Sequence, residues 1–327
     1  MKFYTSIIRA CAYNRQTASV DNSTTKPKLI VILGPTASGK SDLAVAIARF
    51  IAGKNHPLIT GAEIISADSR QVYKGLDIGS GKITTKEMRD IPHHLLDVAS
   101  PKRTFTVTRY QTLAQKAIRS ILRAKHVPII CGGTGLYIDA IVNGYVLPDV
   151  PPQPALRKEL ERQSTELLFT QLEQLDPYRA QTIDRHNRRR LIRALEIVIV
   201  THSPVPPIQH TSSYDVLKIG IARAPEDLRS LIETRLQKRI RSGMIAEVER
   251  LHDAGVNWKR LDDLGLEYRW VSRHLRGSIT RTEMIEQLSR DIINYAKRQM
   301  TWFKRDKDIH WVANEAEAIS LVDRFLS

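Results

Sequence analysis

The chain has 327 residues, 42% hydrophobic and 26% charged, enough to bury the core of one large domain or two. Its longest apolar runs, such as Leu29–Leu33 and Leu195–Val200, fall far short of the roughly 20 residues a membrane span needs, which excludes a bilayer-crossing segment. A net charge of +15 points to a polyanionic partner, nucleic acid first, though simple basic solubility gives the same figure. Cys11 and Cys131 stand alone, without C-x-x-C spacing or histidine-rich neighbours, so no disulfide framework or zinc site is expected, and a reducing cytoplasmic compartment fits.

Residues 1–27 read as a disordered extension. They are poor in acids, carry Lys2, Arg9 and Arg15, and end in a linker-like Asn22–Thr25; the same features fit a transit peptide, for which the tract is short. Lys28–Gly34 (KLIVILG) has the pattern of a buried parallel strand, followed by a helix from Lys40 to about Ala52 with Leu43, Ile47 and Ile51 on one face. Glu63–Ala67 and Val127–Cys131 are two more short buried strands running into polar or glycine-rich turns. Such alternation predicts an α/β fold, a P-loop NTPase-like parallel sheet flanked by helices, with functional loops at the carboxyl ends of the strands.

The pattern changes at residue 148. Four prolines (Pro148, Pro151, Pro152, Pro154) open an arginine-rich helical stretch closed by Pro204, Pro206 and Pro207, so 148–215 reads as a helical insertion between two parts of the core, 28–147 and 216–327. Val216–Ala222 resumes the sheet, Pro225 suits the first position of a long helix, Thr282–Phe303 is another helix, and Ile309–Val312 a last strand.

Gly34-Pro35-Thr36-Ala37-Ser38-Gly39-Lys40-Ser41 matches G-x-x-x-x-G-K-[ST] between a strand and a helix. Backbone N–H groups of such a loop close around phosphate oxygens, Lys40 reaches the terminal phosphates, and Ser41 is placed to hold Mg²⁺. The motif names a diphosphate or triphosphate, not a reaction. Without an Asn-Lys-x-Asp sequence a GTPase is disfavoured, leaving a small-molecule kinase or a transferase that uses another diphosphate.

Ser66–Lys82 (SADSRQVYKGLDIGSGK) resembles the signature that follows the second strand in tRNA dimethylallyltransferases, and Gly132–Tyr137 (GGTGLY) resembles their second signature. Pro92–Asp97, Arg193–Glu196 and Ala296–Phe303 are similar to further family motifs in the family's order, so the resemblance runs from about Lys28 to the C-terminus. It implies transfer of a dimethylallyl group from dimethylallyl diphosphate to the adenosine just 3′ of a tRNA anticodon, by a monomer. It also implies Asp68 as general base, Thr134 beside the reacting groups, and Arg239 on the diphosphate. A positioned carboxylate suits an exocyclic amine, a weak nucleophile that must lose a proton as the C–N bond forms; Asp68 read alone also fits a Mg²⁺ ligand or a turn cap. Arg235 and Arg239, four residues apart, fit a diphosphate grip, a kinase lid or a solvated helix face.

For tRNA, Arg185, Arg189 and Arg193 recur every four residues, a helical stripe broadened by Arg188 and Arg190. The resemblance places tRNA contacts at Arg189, Arg190, Leu191, Ile192 and Arg193, at Asp68, Ser69, Arg70 and Gln71 with Thr134, at Arg157, and at Lys297, Arg298, Gln299 and Trp302. Basic and aromatic residues together suit an extruded, stacked base, although Trp302 fits a core equally well. Gly265-Leu266-Glu267-Tyr268-Arg269 departs from the family's Gly-Tyr-Arg and aligns only at Gly265, Tyr268 and Arg269. The competing readings are a P-loop kinase, a prenyltransferase acting on free adenine nucleotides, and a non-catalytic RNA-binding module; the arginine stripe speaks against the first two and Lys40 against the third.

Overall fold

The computed structural model describes residues 26–54, 56–146, 148–207 and 213–327; of the segment read as an extension, 1–25 lies outside them. The chain forms β1 (Lys28–Leu33), α1 (Lys40–Gly53), β2 (Gly61–Ser66), α2 (Thr85–Met88), β3 (His93–His94), α3 (Val107–Arg123), β4 (His126–Gly132) and α4 (Gly135–Val142). After the intervening segment, α5 (Pro154–Leu160), α6 (Thr165–Leu175), α7 (Pro177–Thr182) and α8 (Arg188–Thr201), it returns as β5 (Asp215–Ile221). It ends with α9 (Pro225–Arg241), α10 (Met244–Asp253), α11 (Trp258–Leu264), α12 (Leu266–Leu275), α13 (Arg281–Phe303), β6 (Ile309–Val312) and α14 (Glu315–Leu326).

The strands make one parallel sheet ordered β3-β2-β4-β1-β5-β6, the architecture expected from the alternation of strands and helices. β1 is central and alternates strictly. Leu29, Val31 and Leu33 face a layer holding α3, α4 and α9 to α13, whereas Ile30 and Ile32 face α1 and α14. Leu43, Ile47 and Ile51 bury the predicted face of α1. β3, α2, α4, α10 to α12 and α14 have no counterpart among the elements expected from the sequence. β3 has only two residues, and α10 to α12 are so short that their apolar faces are set by packing against α9 and α13 rather than by a long period.

Helices α5 to α8 pack around a core of their own, with Leu160, Leu168, Leu172, Leu191 and Leu195 at its centre. One part of the predicted arginine stripe is corrected here. Asn187 caps α8 by accepting from the Arg190 N–H, so the helix begins at Arg188 and Arg185 lies before it, its guanidinium over the Phe169 ring. Leu191 and Ile192, implied as tRNA contacts, point into this core because the periodicity of α8 turns them inward.

Glu196 organises the stem of this unit. Its carboxylate is fully buried and accepts from the Gln153 N–H (2.6 Å), from Arg157 Nε and Nη2 (both 2.7 Å) and from Arg193 Nη1 (2.5 Å). Burial pushes its pKa up, but the hydrogen bonds from Arg157, Gln153 and Arg193 outweigh that and bring it down to about 2. A carboxyl depressed from 4.5 on folding stabilises the fold above its unfolded value and loses that contribution as pH falls toward about 2. Glu196→Ala is therefore expected to destabilise the chain by about 3 kcal/mol at neutral pH, with the deficit against wild type shrinking below pH 4.5; urea melts of both proteins across pH 3 to 7 check it.

Candidate functional site

Because the strands are parallel and β2, β4 and β1 are neighbours, the turns that leave their carboxyl ends converge on one edge of the sheet. The turn after β1 is the P-loop. Gly39, at φ 91°, is the N-cap of α1 and brings no side chain, so the helix's first N–H groups and its positive end face whatever the loop encloses. Lys40 Nζ rests 3.2 Å from the Pro35 carbonyl. Burial lowers the Lys40 pKa and Arg235 and Arg239 add to the effect, against Cys131 and Asp68, so the lysine sits where an anion would relieve it.

The turns after β2 and β4 are joined to each other. Thr134 N–H donates to the Ala67 carbonyl (3.1 Å) while Ser69 N–H donates to Thr134 Oγ1 (3.1 Å). A Cβ at Gly132 would strike the Ala67 carbonyl, so the close passage of the two turns demands glycine there. Asp68 Oδ1 accepts from the Arg70 N–H (2.8 Å) and the Gln71 N–H (3.3 Å), which makes this carboxylate a turn cap as well as part of the cavity wall. Gln71 is held by Ser66 Oγ (3.1 Å) and itself donates to the Gly81 carbonyl (3.3 Å). Tyr295 of α13 joins this group through Thr134; burial first, then the nearby Asp68, raise its pKa to about 12, so it is a neutral phenol.

The opposite wall comes from α9 and the loop after Leu76. Arg235 and Arg239 lie one turn apart, bonded to the carbonyls of Gly81 (3.5 Å) and Gly79 (3.1 Å). Burial, then Arg239, bring the Arg235 pKa down to about 10. Two buried carboxylates fix this wall, and neither was singled out from the sequence. Glu267 pairs with Arg239 (2.9 Å), and burial raises its pKa. Glu247 accepts from the N–H groups of Asp77 (3.0 Å), Ile78 (2.6 Å) and Gly79 (3.0 Å) and from the Tyr268 hydroxyl (3.1 Å). A buried acid in an otherwise apolar helix face, as at Glu247 between Met244 and Val248, is the signal that would have flagged it.

Between the walls lies a cavity of about 580 Å³ lined by Thr36, Lys40, Ser41, Asp68, Gln71, Arg235 and Arg239 among others, a size suited to a small phosphorylated molecule. One end is cationic around the P-loop; Asp68 stands on the same wall. The site can thus hold a diphosphate with a proton acceptor in reach of the group it carries.

The other sequence-derived residues are spread more widely. Arg189, Arg190, Lys297 and Arg298 are exposed, whereas Arg157 and Arg193 are committed to Glu196. Gln299 is buried, its Oε1 accepting from the Thr36 N–H (2.8 Å) and its Nε2 donating to the Gly133 carbonyl (2.8 Å), so its side chain serves the protein's own loops instead of a nucleic acid. Trp302 packs on Gly135 and donates to Asp139 (2.9 Å), with Arg305 over its ring. Tyr268 is buried behind Glu247, and Arg269 Nε donates to the Asp262 carbonyl (3.2 Å), so of the Gly265–Arg269 segment it is Glu267 that reaches Arg239.

Comparison with known proteins agrees with the arrangement. The family model described as IPP transferase matches residues 71–306, beginning three residues after Asp68 and leaving the P-loop outside the match. A tRNA dimethylallyltransferase 2 of Trichlorobacter lovleyi is 40% identical over 309 residues, spanning 91% of this chain and 96% of that protein. A tRNA dimethylallyltransferase 2 of Treponema denticola is 43% identical over 297 residues, spanning 88% and 96%. The crystal structure of the full-length tRNA isopentenylpyrophosphate transferase of Bacillus halodurans superposes with a TM-score of 0.68 at 34% identity, covering 92% of this chain and 96% of that one.

Removal of Glu247 frees the N–H groups of Asp77, Ile78 and Gly79 and with them the carbonyl that orients Arg239. Glu247→Ala is expected to weaken pyrophosphate binding about tenfold, the scale of one charge-assisted hydrogen bond, measured by titration calorimetry; unchanged affinity would detach this loop from the site.

Proposed function

This chain belongs to the IPP transferase family, and on that premise we propose that it is a tRNA dimethylallyltransferase, moving the dimethylallyl group of dimethylallyl diphosphate to the exocyclic N6 of the adenosine 3′ of the anticodon and releasing diphosphate. The observation that carries the reading is a single cavity walled by the P-loop, Asp68 and the Arg235–Arg239 pair. For a kinase lid the arginines would have to swing; here both are tied to the carbonyls of Gly79 and Gly81, and Arg239 also to Glu267.

The reaction breaks the bond between C1 of the donor and the bridging oxygen and forms a bond from C1 to N6. Negative charge grows on the departing diphosphate, and the N–H groups at the start of α1, Lys40, Arg235 and Arg239 are gathered around the place it would occupy, so they stabilise the transition state with little reorganisation. Asp68 accepts the N6 proton. With Oδ1 engaged by Arg70 and Gln71, Oδ2 is the oxygen left for the amine, and the turn that holds Oδ1 fixes its direction. Thr134, held by Ser69 and Ala67, stands beside it.

The donor set fits Mg²⁺. Ser41 in the first turn of α1 lines the cavity, and a hydroxyl together with diphosphate oxygens and water is coordination this ion accepts. Among the described residues no cluster of three acidic, histidine or cysteine side chains would hold a cation by itself, so Ser41 and the substrate would share it. When bound, the ion neutralises charge on the leaving diphosphate.

The tRNA backbone would lie along Arg189 and Arg190 on the insertion and Lys297 and Arg298 on α13, with Arg70 and Gln71 near the flipped base and Trp302 bordering the entrance. Arg157 and Arg193 would act by holding the stem through Glu196. Among the described residues no helix is long and apolar enough to cross a membrane. A monomer in the cytoplasm is the setting we assign, where the free, buried Cys131 stays reduced.

Labelled dimethylallyl diphosphate incubated with Mg²⁺ and unmodified tRNA is expected to label the tRNA, with free AMP unlabelled and ATP unconsumed; label in AMP alone or ATP turnover would replace the reading. In the same assay Asp68→Asn should lower single-turnover transfer by about 100- to 10,000-fold, the range of a lost general base, with tRNA affinity kept. Arg189→Ala with Arg190→Ala should weaken tRNA binding and flatten the plot of log affinity against log salt by about one to two units, near 0.9 per phosphate contact; an unchanged slope would move the RNA-binding face elsewhere.

A further inference from the structure

Gln299 belongs to none of the groups that touch substrate in the mechanism above, yet it is 6% exposed and makes one hydrogen bond to each of two separate loops. The Thr36 N–H lies in the middle of the P-loop, where such groups ordinarily turn toward phosphate, and here it points to the carboxamide of a helix 263 residues away in sequence. On the other side the same carboxamide holds the Gly133 carbonyl, one residue before Thr134. A Cβ on Gly133 would overlap Gln299 Nε2, so no other side chain leaves the amide room. Asn would be one methylene short, and Glu would lack the donor for Gly133.

We propose that Gln299 is a positioning residue, a strut between the P-loop and the Gly133–Thr134 turn that sets the distance between bound diphosphate and the groups facing the acceptor amine. The inference rests on the transferase reading. Both loops end strands of the rigid sheet, but each continues as turn before its helix begins, so the sheet alone leaves their tips free to separate. A side-chain amide carries a donor and an acceptor in one rigid plane, so it bonds one N–H and one carbonyl at once and holds them at a fixed separation. α13 also carries Tyr295, which meets Thr134, and the exposed Lys297 and Arg298, so the helix that holds both loops through Gln299 also presents basic side chains to the surface. The chemistry requires such a constraint: an in-line displacement between two separately held reactants loses about 100-fold for a 1 Å misplacement.

The strut can be broken from either end. Gln299→Met keeps the length and removes both hydrogen bonds, and Gly133→Ala forces the amide away from the turn. Each is expected to slow single-turnover transfer by about 100-fold while pyrophosphate affinity changes by less than about tenfold, a loss in rate and not in binding. Once the hydrogen bonds of the amide are gone Gly133→Ala has no strut left to break, so the double variant should be no more than about threefold slower than the slower single. Multiplied effects in the double variant, or full transfer in Gln299→Met, would overturn the proposal. Hydrogen exchange of the peptide containing Thr36 should accelerate in both single variants whatever reaction the protein performs. If the wild type transfers no label the assigned reaction falls, and unchanged exchange at Thr36 would then still decide against the strut.

Discussion

Everything at the site depends on how closely the chain leaving β4 passes the chain leaving β2. Ala67 donates its N–H to the Cys131 carbonyl and accepts from the Thr134 N–H, so the ladder between the two strands continues past their ends. Gly132 is the residue that lets this happen, since any side chain there would meet the Ala67 carbonyl. Asp68 and Thr134, from segments over sixty residues apart, are thereby fixed beside each other, and the P-loop, on the next strand over, completes the row. The parallel sheet thus sets where the three turns begin, with hydrogen bonds that serve the fold.

Charge is handled by the same economy. Arg235 and Arg239 are largely enclosed cations; burial first, then the nearby Arg239, lowers the pKa of Arg235 to about 10, and the carbonyls of Gly79 and Gly81 with the carboxylate of Glu267 offset only part of the cost. Lys40 is in the same condition. A site held short of negative charge binds a diphosphate strongly and binds the more highly charged leaving group more strongly still, which is how binding energy becomes catalysis. Glu247 stands behind this wall. Among the described residues it forms no ion pair; its role is to satisfy three consecutive N–H groups that would otherwise lack partners.

The inserted helices solve a different problem. They need a basic outer surface and a fixed attachment, and the stem achieves the second by gathering Arg157, Arg193 and the Gln153 N–H on one buried carboxylate. Two of the arginines that look like RNA contacts in the sequence, Arg157 and Arg193, also pair with this buried carboxylate, and the most exposed positive charge on α8 is at Arg189 and Arg190 in its first turn.

The sequence by itself determined the parallel α/β class, the position of the P-loop, the placement of β1, β4, β5, β6, α1 and α13 to within about two residues, and, through its resemblance, the family. These are local properties: apolar runs of strand length, helical spacing of Leu43, Ile47 and Ile51, and the G-x-x-x-x-G-K-S order of Gly34–Ser41. Only the tertiary structure decided which polar residues face a ligand and which face the protein. Gln299, Arg157 and Arg193 carry the same side chains whether they meet RNA or a buried partner, and what Glu247 and Glu267 bind is settled only when α9 and the loop after Leu76 are packed against them. The physical reason is that a hydrogen bond's partner is set by what lies within about 3 Å in space, and for these residues that neighbour is anywhere from 3 to 263 positions away along the chain.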